Sequence, residues 1–330
     1  VNRRPVSRTA RSRRYYVDGI DETALRKRVM DACAGNDYFT SMLQQDVGFV
    51  LPYGNGRDDG FSATLTGTDD DHVVELVANA LSPKDRGRAR LASSLRDFVN
   101  RTAQLLVTCG AITYEVDFLS IADAEPPEPP FAFELHLVQP GTLDWIRRRP
   151  IQYVPGQLAE TVGSDALGYV ALDPERLVTI RLDAGTESEV RDAVRFLHEA
   201  SDQRAAGFAL VERSMQQQTP YEPMVHINET GELIAAATVP IGWTVRGLYT
   251  EHRLDPYVAW RSLRFLAFKI RLRDAAMGGV NRAVAMAGSR LAFDARVELS
   301  GVPTLADVEA AQDDLKAGSR NLSDLIRMGI

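Results

Sequence analysis

The sequence predicts an α+β fold, and three observations carry that class. Apolar residues recur at helical spacing over 86 to 108, where Leu91, Leu95, Phe98, Thr102, Leu105 and Cys109 follow one another up to Gly110. The stretch that follows alternates Ile112, Tyr114, Val116 and Phe118 with Thr113, Glu115 and Asp117, the period of a strand with one face buried. Helices and strands then interleave without the regular βα spacing of a doubly wound sheet. A chain of 330 residues is long enough for one large domain or two ordinary ones.

Taken in order, Asp21 caps a helix over 22 to 34, with Leu25, Val29 and Cys33 on one face and Gly35 as its stop. A short helix covers "DYFTSMLQQ", "FSATLTG" reads as a strand, and 72 to 81 reads as a helix. Four prolines within 126 to 130 make "DAEPPEPP" a stiff connector that cannot continue a sheet. Beyond it Phe131, Phe133, Leu135 and Leu137 alternate, and further β segments are expected at 151 to 155, 169 to 172 and 177 to 182. Residues 187 to 218 read as a helix, and "VHINETGELIAAATV" as a hairpin or long loop with strands on either side of Thr230 and Gly231. A helix over 256 to 276 is expected to break at Gly278 and Gly279 and to continue to about 288. Phe293, Ala295, Val297 and Leu299 alternate again, and Thr304 with Asp307 three residues on begins a helix that Gly318 ends.

Composition excludes several classes. Hydrophobic residues make up 45% and charged residues 25%, which is neither a disordered nor a membrane composition. No apolar run approaches the roughly 18 to 20 residues that span a bilayer, so no membrane partner is expected. Cys33 and Cys109 are too few for a disulfide framework. The formal net charge is −7, but residues 1 to 14 hold six arginines and no acid, which leaves −13 on the remainder. A basic arm therefore precedes an acidic body. Such an arm either contacts polyanions by displacing their counterions or is a solvated tail.

"RSLRFLAFKIRLRD", residues 261 to 274, gathers Arg261, Arg264, Lys269, Arg271 and Arg273 in this acidic body. At about 100° per residue, Leu263, Leu266, Ala267 and Ile270 share one sector and Phe265, Phe268 and Leu272 fall roughly opposite. A surface helix needs one apolar stripe. Two stripes predict packing partners on both sides, with the cations presented to a groove or paired with acids of the body.

Catalytic signatures are sparse. His72, His136, His198, His226 and His252 stand at no ligand spacing, so no metal or cofactor is expected. Gly54, Gly56 and Gly60 lack the Lys-Ser/Thr of a phosphate loop, and Asp69, Asp70 and Asp71 read as compensation for a helix dipole ahead of the alternative of chelating a cation. No serine has the strand-turn-helix setting of a hydrolase nucleophile, and no catalytic residue is assigned. "WIRRRPIQYV" sets Arg147, Arg148 and Arg149 between Trp145 and Tyr153, as either a nucleic-acid surface or a solvated turn.

The order of parts resembles the portal proteins of tailed bacteriophages. "YFTSMLQQ", "LLVTCGAITYEVDFL", "FELHLVQPGTL", "IQYVP" and "LVTIRL" resemble that family's wing. "RDAAMGGVNRAV" and "GVPTLADVEAAQDDLKAGSRNLSDLIRMG" resemble its long wing helix and closing helix pair. The resemblance covers about 40 to 330; beside the basic N-terminal arm over 1–20 that the charge defines, the expected division is an α+β wing-like domain over 21–182, a helix plus β clip or stem over 183–256, and a long helix, strand and C-terminal helices over 257–330. It further implies a non-enzymatic virion protein, assembled in the host cytoplasm into a homo-oligomeric ring, typically a dodecamer, at a capsid vertex. Double-stranded DNA would pass through it, and its partners would be the major capsid protein, the packaging terminase and tail adaptor proteins. In such a ring Arg264, Lys269, Arg271 and Arg273, with Arg3, Arg4, Arg8 and Arg11 of the arm, are expected to face DNA. Leu263, Phe265, Leu266, Phe268, Ile270 and Leu272 are expected to pack against neighbouring subunits. The chain is short for a portal, so the clip must be small, within 218 to 245, and either 187 to 218 or 257 to 276 lines the channel. A monomeric or dimeric protein that binds nucleic acid through its arm is the alternative, and an enzyme whose site is invisible in sequence is a third.

Overall fold

The computed structural model describes residues 6–8, 14–16, 37–53, 60–85, 87–121, 129–146, 149–154, 168–201, 231–244 and 255–319. Outside them lie the expected helix over 22 to 34, Arg3, Arg4, Arg11, Gly54, Gly56, Arg147, Arg148, His226, His252, most of the proline connector and everything beyond Ser319. Along the described chain run β1 (Val6–Arg8), β2 (Arg14–Tyr16), α1 (Tyr38–Val47), β3 (Ser62–Thr66), α2 (Asp71–Leu81), α3 (Leu91–Cys109), β4 (Ala111–Ile121) and β5 (Ala132–Val138). There follow β6 (Leu143–Ile146), β7 (Arg149–Val154), β8 (Gly168–Ala171), β9 (Leu177–Arg181), α4 (Ala184–Ser201), α5 (231–237), α6 (Asp255–Leu291), β10 (Arg296–Ser300) and α7 (Leu305–Lys316). The fold is α+β, and among the described residues there are three small sheets whose pairings are all antiparallel.

The centre is built from the two segments whose periodicity is clearest. Helix α3 begins at Leu91 rather than at 86, after a short 3₁₀ turn over Pro83–Asp85. It stops at Gly110, whose φ of +68° no β-carbon has to tolerate and whose N–H closes on the Leu106 carbonyl. The chain passes directly into β4. There Ile112, Tyr114, Val116 and Phe118 join the main core, and the Tyr114 ring lies 4.9 Å from that of Phe98. Strand β5 occupies one edge of β4 from Thr113 to Leu119, while β9 and β1 share the other edge. The expectation of a half-buried β4 is corrected: Glu115 and Asp117, on its polar face, are only 3% and 2% exposed.

The arm is tied to the body at two places, which corrects its picture as a separate tail. Strand β1 pairs with β4, Arg8 standing opposite Leu119, and β2 pairs with β8 in the sheet β2-β8-β7-β6. Val6 in β1 and Tyr15 and Tyr16 in β2 are residue types that suit strands.

Helix α6 runs 37 residues, about 55 Å at 1.5 Å per residue, without the expected break at Gly278 and Gly279. A glycine in a helix costs about 1 kcal/mol. Here Gly279 lies flat on the Ile180 side chain of β9, where a β-carbon would collide. Close approach to the sheet therefore offsets the propensity loss. The hairpin expected around Thr230 and Gly231 is also corrected, since 231–237 is helical. "LIAAATV" is alanine-rich, and Ile234 with Trp243 goes fully into the core while Leu233 stays exposed. One hydrophobic cluster runs from Leu43 through Ile112, Leu197, Ile234 and Phe268 to Val297, so the boundaries at 182/183 and 256/257 cut through a shared core.

Candidate functional site

Both apolar stripes of α6 exist where the spacing placed them, and each is covered by the chain itself. Leu263 (0% exposed) and Ile270 (2%) pack with Ala259 against Val308 and Ala311 of α7, with Leu266 and Ala267 at the margin. Phe268 and Leu272 enter the main core, with Phe265 partly buried beside them. Leu263, Phe268, Ile270 and Leu272, expected to await a neighbouring subunit, are instead buried within the chain, and Phe265 and Leu266 are partly buried. Helix α7, held at its start by a reciprocal Thr304–Asp307 capping box, folds back and supplies the second partner.

The cations of the stretch divide. Arg261 is wholly buried and donates to Ala235 O at 2.8 Å, Thr238 Oγ1 at 3.1 Å and the Trp243 carbonyl. Arg273, 6% exposed, donates to Pro303 O at 2.8 Å and to Asp274 Oδ1 at 2.9 Å, which ties α6 to the loop before α7. Lys269 lies partly buried, its ammonium 5.5 Å from the Phe265 ring centroid. Burial lowers its pKa against the opposing pull of Asp46. Arg273, expected to face DNA, is therefore used on oxygens within the chain, while Lys269 stays partly exposed.

Arg264 and Arg271 are brought together, along with acids that the spacing did not reveal. They line a cleft of about 240 Å³ between α4, α6 and α7, beside Trp260, Glu189, Glu309 and Gln312. The Arg264 guanidinium sits 5.0 Å over the Trp260 ring and donates to Pro240 O at 2.9 Å, while exposed Arg271 reaches Thr186 Oγ1 at 3.4 Å. The two glutamates make the cleft mixed in charge rather than basic.

Elsewhere Ser201, Asp37 and His198 converge, but not as a nucleophile with its base. Ser201 Oγ donates to Asp37 Oδ1 at 2.8 Å, and His198 Nδ1 lies 3.4 Å from Asp37 Oδ2, so neither hydroxyl nor imidazole activates the other. Asp37 also accepts from Thr40 N at 2.8 Å as the cap of α1. Asp70 likewise caps α2, accepting from His72 N at 2.8 Å. Of the "WIRRR" stretch, Ile146 of β6 pairs with Arg149 of β7 and Trp145 is 56% exposed, while Arg147 and Arg148 lie outside the described residues.

The cluster that sequence reading missed lies on the polar face of β4 and β5. Register sets Glu115 opposite His136 and Asp117 opposite Glu134, and His136 Nε2 lies 3.0 Å from Glu134 Oε2. Only strand pairing brings "YEVDF" and "FELHL" together, although their matched alternation was the available signal. Among the described residues no group of three or more His, Cys, Asp and Glu is arranged to hold a metal ion. No helix among them is long and apolar enough to cross a membrane. No family model, curated protein or solved structure matches the chain.

Proposed function

We propose that the chain is the subunit of a portal-type ring, a structural virion component at a capsid vertex through which double-stranded DNA is packaged and ejected. In this reading its partners are copies of itself, the major capsid protein, the packaging terminase and tail adaptors. The observation that carries it is the junction at Gly110. A long amphipathic helix ends on that glycine and leads at once into a strand bearing Glu115, followed by a strand that runs to the Pro140 turn and then by the Gln152-Tyr153-Val154 strand. This is the order of parts on which the sequence resemblance rests.

Because α6 is covered within the chain, subunit contacts in this reading fall on other surfaces. Phe49 and Tyr53 are 54% and 50% exposed, their rings 5.6 Å apart, and Arg96 lies 4.5 Å over Tyr53. Aromatic residues with arginine are the composition enriched at protein interfaces. The nucleic-acid-arm alternative is less favoured, since β1 and β2 engage parts of the arm in sheets.

Native mass spectrometry and negative-stain imaging of the purified chain, alone and co-expressed with a scaffold protein, test the proposal. Closed rings support it, and a monomer under both conditions sinks it. Within a ring, Arg264→Glu with Arg271→Glu is expected to preserve assembly and lower DNA packaging. Loss of the ring would instead give these residues a structural role.

A further inference from the structure

The two-stranded sheet of β3 and β10 treats its two edges differently. Val297 stands opposite Leu65 and Glu298 opposite Thr64, and in such an antiparallel pair the main-chain groups of alternate residues point toward the other strand or away from it. Asn281 of α6 settles which do which. Its Nδ2 donates to Val297 O at 3.1 Å and its Oδ1 accepts from Val297 N at 2.8 Å, so the main chain of Val297 faces away from β3. The outer edge of β10 is thereby plugged by a side chain that bonds as another strand would.

The same phase fixes the edge of β3. Leu65 and Ala63 lie opposite Val297 and Leu299, so their N–H and C=O groups point away from β10, and among the described residues nothing bonds them. Their side chains pack on the main core, while Ser62, Thr64 and Thr66 are exposed. Folded proteins ordinarily blunt an edge strand with a charge, a proline or a bulge. "SATLT" has no charge and no proline, and its pairing with β10 runs without interruption. Two strands alone are also marginal, and a ribbon gains stability from further strands.

We propose that β3 pairs antiparallel with β3 of a second copy of the chain, about a two-fold axis at Thr64. In that register Ala63 of each copy meets Leu65 of the other, and each of these pairs exchanges both main-chain hydrogen bonds. Ser62 meets Thr66, and Thr64 meets its own counterpart. No like charges are brought opposite each other, which is the usual bar to self-pairing, and on the inner face a small side chain faces a large one. A shift of two residues would set Ala63 or Leu65 against a residue beyond the strand, so the Thr64 register is the one that uses the whole bare edge. The result is one continuous sheet with β10 at both ends. Asn281 plugs both of those ends, so the association stops at a pair. The inference goes beyond the ring reading, because a two-fold contact does not close a head-to-tail ring.

Native mass spectrometry of the full chain over a range of concentrations tests it, with cysteine cross-linking at the axis. Wild type is expected to show a concentration-dependent dimer. Thr64→Lys sets two ammonium groups face to face at an exposed position and should raise the dimer dissociation constant about tenfold or more, with the unfolding midpoint of the dilute chain unchanged. Under mild oxidation Thr64→Cys should form a disulfide between the two copies of residue 64, identified by peptide mapping, since opposed residues of a non-hydrogen-bonded pair have Cα atoms about 4.5 Å apart. Glu298→Cys, exposed on the far strand of each copy, should not link. A monomer at every concentration, a Thr64→Lys variant that associates like wild type, or equal linking through Glu298→Cys overturns the proposal. Closed rings in which Thr64→Cys stays unlinked would overturn it and leave the ring reading standing, whereas linked pairs that never form rings would do the reverse.

Discussion

Arg261 donates to the main-chain carbonyl of Trp243, eighteen residues upstream, so a cation inside the long helix serves as the clamp for a tight turn. The turn lies so close that a β-carbon on Gly242, whose φ is +74°, would sit 2.7 Å from Arg261 O. Ala235 O, Thr238 Oγ1, the Trp243 carbonyl and, at 3.4 Å, the Tyr257 hydroxyl all accept from this one guanidinium.

Replacing that clamp takes the guanidinium donor from the Ala235 carbonyl and leaves the Trp243 carbonyl with only the Thr238 hydroxyl. Arg261→Met is expected to lower stability by about 3 kcal/mol or more, since hydrogen bonds to a charged group are worth about 1.5–3 kcal/mol each. Urea denaturation measures it. A loss below about 1 kcal/mol would mean that water replaces the guanidinium.

Val308 covers the second stripe of α6 from α7 and is 1% exposed. Val308→Asp puts an unpaired charge against Leu263 and Ile270, and a loss of about 3 kcal/mol or more is expected. If the stripe were instead covered by a neighbouring copy, the variant would change oligomeric state without lowering the unfolding midpoint of the monomer. Size-exclusion chromatography alongside calorimetry separates the two.

Thr102 of α3 and Tyr114 of β4 share a buried hydrogen bond of 2.9 Å between their hydroxyls. Burial raises the Tyr114 pKa, with the Thr102 hydrogen bond acting against it, so the phenol stays protonated. Thr102→Val and Tyr114→Phe should each cost about 1–2 kcal/mol by leaving one hydroxyl without its partner. The double variant should cost less than the sum, because both polar groups are then gone.

Asp37 joins α1 to the end of α4. Burial raises its pKa, but hydrogen bonds from Thr40, Ser201 and His198 outweigh this, and the net value lies below the ordinary 3.8. A depressed folded pKa gives stability that is present above the unfolded value and is lost as pH falls through the folded one. Asp37→Ala should therefore cost about 1 kcal/mol at pH 7, as for other lost caps. Wild type and variant should converge below pH 3.8, as urea midpoints at several pH values would show.

Local pattern was enough for elements whose burial is one-sided and whose stop is written in the chain. The α3 helix, Gly110 and β4 follow one another in the order their spacing predicts, and the two stripes of α6 were legible residue by residue. What covers those stripes was not legible, because a stripe specifies an apolar partner and not its address. Helix α7 and a second copy of the chain satisfy it equally until the chain folds back. The same limit applied to charge. Spacing grouped Arg261, Arg264, Lys269, Arg271 and Arg273 as one basic set, whereas tertiary contacts used Arg261 and Arg273 on carbonyls and left Arg264 and Arg271 beside Glu189 and Glu309. Gly279 read as a breaker because its cost is local, while its compensation lies on Ile180, about a hundred residues away in sequence. Sequence periodicity thus determined the class, most helices and strands, and which faces must be buried. Strand register and the return of α7 decided which groups meet, since pairing energies depend on distances that only the closed chain sets.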